Sequence, residues 1–302
     1  MSIPIAYHPA MSVPGVGSFS PSAGKPALFH EALRRLYPGE IDGATIPVQP
    51  VTQEDLKLVH DGWYVDAVFS SEENNGFGNR DWRVPPACLW TVGSMVSASQ
   101  HAIANPVAPV ASLSSGFHHA GSDFGGGYCT FNGLMVAAAL HLRDNPDGVV
   151  GILDCDFHYG DGTASILNRL PDLEYRVVHH TSGRYFHGDG GGEDEALEFQ
   201  AWLQESIDNL NSHGCSLVLY QAGADMHKDD PMGGLLNDAE MAQRDRAVFR
   251  GIEAPIVWNL AGGYRLESGV CTPVLQTHLN TYMEALLSVK HRSAFPSTRR
   301  IA

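Results

Sequence analysis

Val149-Val150-Gly151-Ile152-Leu153-Asp154-Cys155-Asp156-Phe157-His158-Tyr159-Gly160-Asp161-Gly162 changes character partway along. The first five residues are apolar and partly β-branched, as in a buried strand. Two carboxylates and an imidazole then follow at every second position. Side chains at i, i+2 and i+4 of a strand share a face, so Asp154, Asp156 and His158 point the same way where the strand runs out. Carboxylate oxygen and imidazole nitrogen together suit a divalent cation such as zinc. A polar strand end with solvated acids reads from the same residues, and the rest of the chain has to decide between the two.

Similar apolar runs recur at Val107–Leu113, Tyr175–His179, Leu217–Gln221 and Ile256–Leu260. Helical patterns lie between them, at Asn132–Arg143, Thr163–Leu170, Asp194–Asn211 and Asp238–Arg250, with a last one after Thr272. Strand alternating with helix at this rhythm predicts an α/β fold, a parallel sheet covered on both faces. Upstream, the first fifty residues are rich in Pro, Gly and Ser around a helix at Pro26–Leu36. Shorter helices are expected at Gln53–Val59 and Gly62–Phe69, and a buried one over Ala87–Ile103. The breaker-rich Ser71–Pro86 reads as a loop, and loops of this length are often functional. No repeat or linker marks a boundary, so residues 1–302 are expected to form one domain.

Composition narrows the partners. The 302 residues are 43% hydrophobic, an ordinary globular balance. A formal net charge of −15 argues against nucleic acid, which requires clustered Lys and Arg. An acidic field modestly favours cationic substrates such as lysine-bearing peptides or amines. The five cysteines form no Cys-x-x-Cys pair, and the N-terminus lacks a basic start with a long apolar region. Together these suggest reduced thiols in the cytoplasm. No apolar run is long enough to span a bilayer. Nothing in the sequence fixes the oligomeric state.

Open parallel sheets bind ligands at the carboxyl ends of their strands, and the residues following each expected strand are of one kind. After Val107–Leu113 come Gly116-Phe117-His118-His119, after Leu217–Gln221 comes Ala222-Gly223-Ala224-Asp225, and after Ile256–Leu260 comes Gly262-Gly263-Tyr264. His118 and His119 are either a surface pair or, with carboxylates to orient them, proton carriers near neutral pH. Asp225 is either a helix cap or a third ligand beside Asp156 and His158. Tyr264 either closes a turn or brings a phenol to a substrate. Gly125-Gly126-Gly127-Tyr128 is flexible filler or a place where backbone approaches ligand. Each bland reading is respectable singly; jointly they demand a run of coincidences.

Gly116-Phe117-His118-His119-Ala120, Gly125-Gly126-Gly127-Tyr128-Cys129, the Asp154–Gly162 run, Gln221-Ala222-Gly223-Ala224-Asp225 and Gly262-Gly263-Tyr264 resemble, in order, the motifs of zinc-dependent histone deacetylases and their bacterial relatives. Leu58-Val59-His60 with Tyr64 resembles a further element, and the likeness runs from about Leu56 to Tyr264. Gly233-Gly234-Leu235 and Arg244-Asp245 look closest to the class IV branch. The resemblance implies the arginase–deacetylase fold, a single-domain three-layer α/β/α sandwich around a mostly parallel sheet. It implies Zn²⁺ on Asp156, His158 and Asp225, and His118 and His119 as proton carriers oriented by Asp154 and Asp161. Tyr264 would donate to the substrate carbonyl. Gly127, Tyr128 and Phe186 would line the tunnel, with Met232 near its rim. A structural K⁺ is also expected, although Val177 stands where the family often has a hydroxyl ligand. Backbone carbonyls near Asp154 and His158 remain available for it.

The implied activity is hydrolytic removal of an acyl group from lysine side chains of proteins or peptides. An acetylpolyamine or other small acylated amine is the alternative substrate. Met232, where acetylpolyamine enzymes tend to place an acid at the tunnel mouth, speaks mildly for lysine. A two-manganese ureohydrolase would need more bridging carboxylates. A binding module built on a dead enzyme would have lost a ligand, a histidine or the tyrosine. His179, His180 and His187 are expected to be structural or solvated.

Overall fold

The structure, a computed structural model, describes residues 2–186 and 192–294. Seven strands form one sheet: β1 (Ile5–Ala6), β2 (Thr45–Ile46), β3 (Val110–Ser112), β4 (Val150–Asp154), β5 (Val177–Thr181), β6 (Leu217–Gln221) and β7 (Ile256–Asn259). Their order is β2-β1-β3-β7-β6-β4-β5, and every neighbouring pair is parallel. The helices are α1 (Lys25–Leu36), α2 (Glu40–Ala44), α3 (Gln53–Leu56), α4 (Gly62–Phe69), α5 (Val84–Ala104), α6 (Gly133–Asp144), α7 (Asp161–Arg169), α8 (Pro171–Glu174), α9 (Gly192–Ser212), α10 (Asp238–Gly251) and α11 (Thr272–Ala294). The arrangement is the expected α/β/α sandwich of the arginase–deacetylase fold.

The two-residue side-chain period sorts the strands between two cores. Val150, Ile152, Leu217, Leu219 and Val257 pack with the layer that contains Leu56, Val65, Met95, Leu134 and Ile166 of α3 to α7. Leu153, Val218, Tyr220, Ile256 and Trp258 pack with Phe29, Phe199, Val248 and Tyr282 of α1, α9, α10 and α11. Strands buried on both faces read as continuous apolar runs, which is why β4, β6 and β7 stood out in the sequence.

The N-terminal region departs from expectation. The Pro- and Gly-rich first fifty residues contribute β1 and β2, and β1 is an interior strand between β2 and β3. Each is only two residues long, too short for an alternating pattern to register. The helix expected over Gln53–Val59 ends at Leu56, and β5 lies two residues later than the expected Tyr175–His179. Because all strands run in parallel, Ser112, Asp154, Thr181, Gln221 and Asn259 end at one rim. No helix among the described residues is long and apolar enough to cross a membrane.

Candidate active site

β4 delivers Asp154 at its last position, and the chain beyond it carries Asp156 and His158. Backbone amides lock the zigzag: Asp156 N–H donates to Asp154 Oδ1 at 3.1 Å and His158 N–H to Asp156 Oδ1 at 3.0 Å. β6 leads to Gly223 and then Asp225, fully buried in a short turn of 3₁₀ helix. Arg244 of α10 ties the two segments together, donating to the Gly223 carbonyl at 2.6 Å and the Cys155 carbonyl at 3.3 Å. Asp245 accepts Arg244 Nε at 2.9 Å and the hydroxyls of Tyr220 and Thr281. A buried guanidinium thus crosses between ligand-bearing loops with its counter-charge beside it, as burial of a charge demands.

The ligand atoms of Asp156, His158 and Asp225 lie within 4.8 Å of one another. His158 Nδ1 stands 3.0 Å from Asp225 Oδ2 and 3.2 Å from Asp156 Oδ1. A tetrahedral cation with ligands at about 2.0–2.1 Å separates its donors by about 3.3 Å, so the set fits zinc. The electrostatics agree. Burial and then the charge of Asp156 push the Asp225 carboxyl up, a cost that a divalent cation between the two acids removes. Burial opposes protonation of His158, but hydrogen bonds to Asp156 and Asp225 outweigh it and raise the imidazole to about 11.

Two histidines flank this cluster. His118 Nδ1 is 2.8 Å from Asp154 Oδ2, and His119 Nδ1 is 2.6 Å from Asp161 Oδ1. Their rings lie 4.1 Å apart. Burial alone would depress His118, but Asp154 and then Asp156 outweigh it and raise it to about 9. Burial would also raise Asp161, but the hydrogen bond from His119 holds it below its usual value. The segment bearing the pair is anchored from behind. Asn132 Nδ2 donates to the Ala120 carbonyl at 3.0 Å, while His60 accepts Asn132 N–H at Nε2 and bonds the Gly121 carbonyl through Nδ1. Tyr64 donates its hydroxyl to the Thr130 carbonyl.

Tyr264 follows Gly262 and Gly263, whose φ values are +51° and +90°. A Cβ on Gly262 would stand 2.4 Å from the Asp225 carboxylate, so only glycine lets this turn close over the cluster. Tyr264 packs 5.6 Å from Tyr128 and 6.4 Å from His158, ring to ring. Its phenol is driven far above the usual range, by burial first and by Asp225 next, and so stays a hydrogen-bond donor. Tyr128 has φ +66°, strain of a kind that concentrates at functional positions. A groove of about 430 Å³ leads in, lined by Phe77, His119, Gly127, Tyr128, His158, Met232 and Tyr264. Met232 is 42% exposed, in keeping with a rim position.

Some residues were not visible from sequence. Asp230 accepts the backbone N–H groups of Tyr264, Arg265 and Met232, and so fixes both Tyr264 and the rim. Its place before Pro231 was the available signal, a turn-forming Asp-Pro. Lys25 is buried, donates to the Gly262 carbonyl, and lies 3.4 Å from His278 Nε2. Burial lowers it to about 8 despite Asp225 and Asp156 nearby. No local pattern distinguishes such a lysine from a surface one. Phe19, from the Pro/Gly-rich region, reaches Tyr128 and Tyr264 at 5.8 and 6.2 Å.

Two expectations need correction. Phe186 does not line the groove; it is buried against Phe199 and Trp202 of α9, at 5.5 and 6.0 Å. Val177 is not the residue beside Asp154. The β4–β5 register pairs Val177 with Val150 and Thr181 with Asp154, and Ser182 Oγ donates to the Asp156 carbonyl at 2.8 Å. Hydroxyls therefore do stand at the strand end where a K⁺ ligand was thought missing. β5 itself begins and ends two residues later than the sequence suggested. Of the remaining histidines, His180 bonds Asn209 at 2.9 Å, and His187 lies outside the described residues.

A solved acetylpolyamine aminohydrolase from Burkholderia pseudomallei superposes with a TM-score of 0.70 over 95% of this chain and 99% of that one, at 17% identity. With the strand order described above, this shows that the two chains share a fold. A family model described as a histone deacetylase domain matches residues 22–201, more than half the chain. The chain belongs to that family. It is 29% identical over 171 residues to acetylpolyamine amidohydrolase 2 of Pseudomonas aeruginosa, a match covering 50% of this chain and 49% of the relative. It is 26% identical over 206 residues to type-2 histone deacetylase 2 of Dictyostelium discoideum, covering 56% of this chain and 12% of the relative. The chain thus spans about half the length of the Pseudomonas relative and a small part of the Dictyostelium one.

Proposed function

We propose that this chain is a zinc-dependent amidohydrolase that removes an acetyl or other acyl group from a primary amine, with acyl-lysine in proteins or peptides as its main substrate class. The observation that carries the reading is convergence. Asp156, His158 and Asp225 sit at one rim with two carboxylate-bound histidines and a tyrosine that stays protonated. We take residues 1–302 as one catalytic domain.

Zinc bound by Asp156, His158 and Asp225 would supply a Lewis acid and water of lowered pKa. The protein's own groups do the rest. Hydrogen bonds from Nδ1 to Asp154 and Asp161 leave Nε2 of each ring to exchange protons with water and the departing amine. Tyr264 donates its phenolic hydrogen to the substrate oxygen as negative charge develops there. Gly127, Tyr128 and Phe77 hold the chain that carries the amide, and Met232 meets whatever it is attached to. Ser182, whose hydroxyl meets the Asp154 and Asp156 carbonyls, would serve a structural K⁺.

A second reading keeps this chemistry with an acetylated polyamine as substrate. It is supported by the named Pseudomonas and Burkholderia relatives, whereas the apolar Met232 at the rim supports lysine. A panel of acetyl-lysine peptide, long-chain acyl-lysine peptide, acetylated polyamine and a simple acetylated amine separates the two. Turnover should vanish with chelator and fall about 10²–10³-fold in Tyr264→Phe. Absence of turnover on every member, with stoichiometric zinc bound, would sink the hydrolase reading.

A further inference from the structure

His179 lies on β5 beside Ile152, two residues before Thr181, which pairs with Asp154. Paired residues of parallel strands, and residues two apart, share a face, so His179 stands on the Asp154 side of the sheet. Its Nε2 is buried and has no hydrogen-bond partner among the described residues. That is costly for an imidazole nitrogen, and such groups call for an explanation.

Gly160 supplies one. Its amide is held to Thr181 Oγ1 at 3.1 Å, pressing its Cα against β5. A Cβ built there would lie 2.6 Å from Asp154 Oδ2 and 3.3 Å from His179 Nε2. Gly160 is therefore packed against both polar atoms, which lie less than about 6 Å apart, and one water spans such a separation. Asp154 still has capacity to accept there: Oδ1 takes the Asp156 amide at 3.1 Å and Oδ2 takes His118 Nδ1 at 2.8 Å, and each carboxylate oxygen has two acceptor sites.

We propose that His179 is a positioning residue for the His118–Asp154 pair, donating from Nε2 beside Gly160, through one bridging water, to Asp154 and fixing the carboxylate that orients His118. The line of groups then runs from β5 through β4 to the zinc cluster. Asp154, His118 and His180 are the charged or titratable groups whose fields reach His179. Burial holds the ring well below its ordinary value, at about 4, so it remains a neutral donor throughout the working range.

The inference rests on the amidohydrolase reading for its effect on rate, but not for its effect on His118. The test is the downfield His118 Nδ1–H proton resonance of the zinc-loaded protein, followed in His179→Leu and His179→Gln. Loss or marked movement of that resonance in His179→Leu, with recovery in His179→Gln, is expected. On the best substrate of the panel, kcat should drop about tenfold in the leucine variant with KM unchanged. Should His179→Leu fail to fold, His179→Phe keeps the ring volume without the donor and reads the same. An unmoved resonance in a folded, donor-free variant overturns the proposal. Lack of turnover in the wild type overturns the proposed function instead, and leaves the resonance result standing by itself.

Discussion

Two histidine–aspartate pairs stand side by side in this molecule with nearly the same bond and very different surroundings. His118 and Asp154 are 3% and 0% exposed; His119 and Asp161 are 21% and 52% exposed. The first pair is enclosed by the sheet and backs onto the candidate metal ligands, with His118 Nε2 3.6 Å from Asp156. The second opens on the groove. A charge-assisted hydrogen bond gains strength as water is excluded, whereas an exposed one is screened. Position in the fold therefore shields one pair from water and leaves the other partly open to it.

The sharpest test of this contrast is kinetic. His118→Ala and His119→Ala should each cost about 10²–10⁴ in kcat, the range for proton-transfer groups. If the pairs act as one relay, the double variant should be little worse than the poorer single variant. Multiplicative losses would break the relay. Stability should divide the pairs next. In urea unfolding of the metal-free protein, Asp154→Ala should cost about 3 kcal/mol, as removal of one member of a buried pair does. Asp161→Ala should cost about 1 kcal/mol or less. Equal losses would erase the distinction.

The effect of pH bears on the enclosed pair alone. His118 is raised to about 9 in the folded metal-free protein, against about 6.5 unfolded. The folded state thus binds the proton more tightly. The resulting stabilisation is fully present below pH 6.5 and is lost as pH climbs through 9. The melting temperature of metal-free protein should fall across that window, and the slope should flatten in His118→Asn. Zinc should flatten it too, because a divalent cation offsets the Asp156 charge that helps hold the proton. A slope indifferent to both changes would assign the window to other groups.

The site was more legible in the sequence than the fold around it, and the reason is geometric. Asp154, Asp156 and His158 announce themselves because strand periodicity alone aligns them, and Asp225, His118 and Tyr264 follow strands that read as apolar runs. Arg244, Asp230 and Lys25 act across long sequence separations on backbone carbonyls or amides, and no spacing rule reports such contacts. β1 escaped because an interior strand of two residues has no period. The offset in β5 arose because Tyr175-Arg176-Val177-Val178-His179-His180-Thr181 offers several registers, and only pairing with β4 selects one. Phe186 was misplaced because its packing against Phe199 and Trp202 is a tertiary contact that no local pattern reports.

The order β2-β1-β3-β7-β6-β4-β5 also sets a timetable for synthesis. β4 and β6 are neighbours, so Asp156, His158 and Asp225 can meet as soon as residue 225 has left the ribosome. β3 pairs early with β1 but finds its other neighbour only in β7, and Tyr264 comes later still. The half-sheet of β2, β1 and β3 must wait for a strand made almost 150 residues after Ser112. Pairing across such a separation slows folding. A nascent chain can therefore bring its three candidate metal ligands together while the N-terminal half of the sheet is still unjoined, and zinc captured at that stage would stabilise the part to which the rest is added.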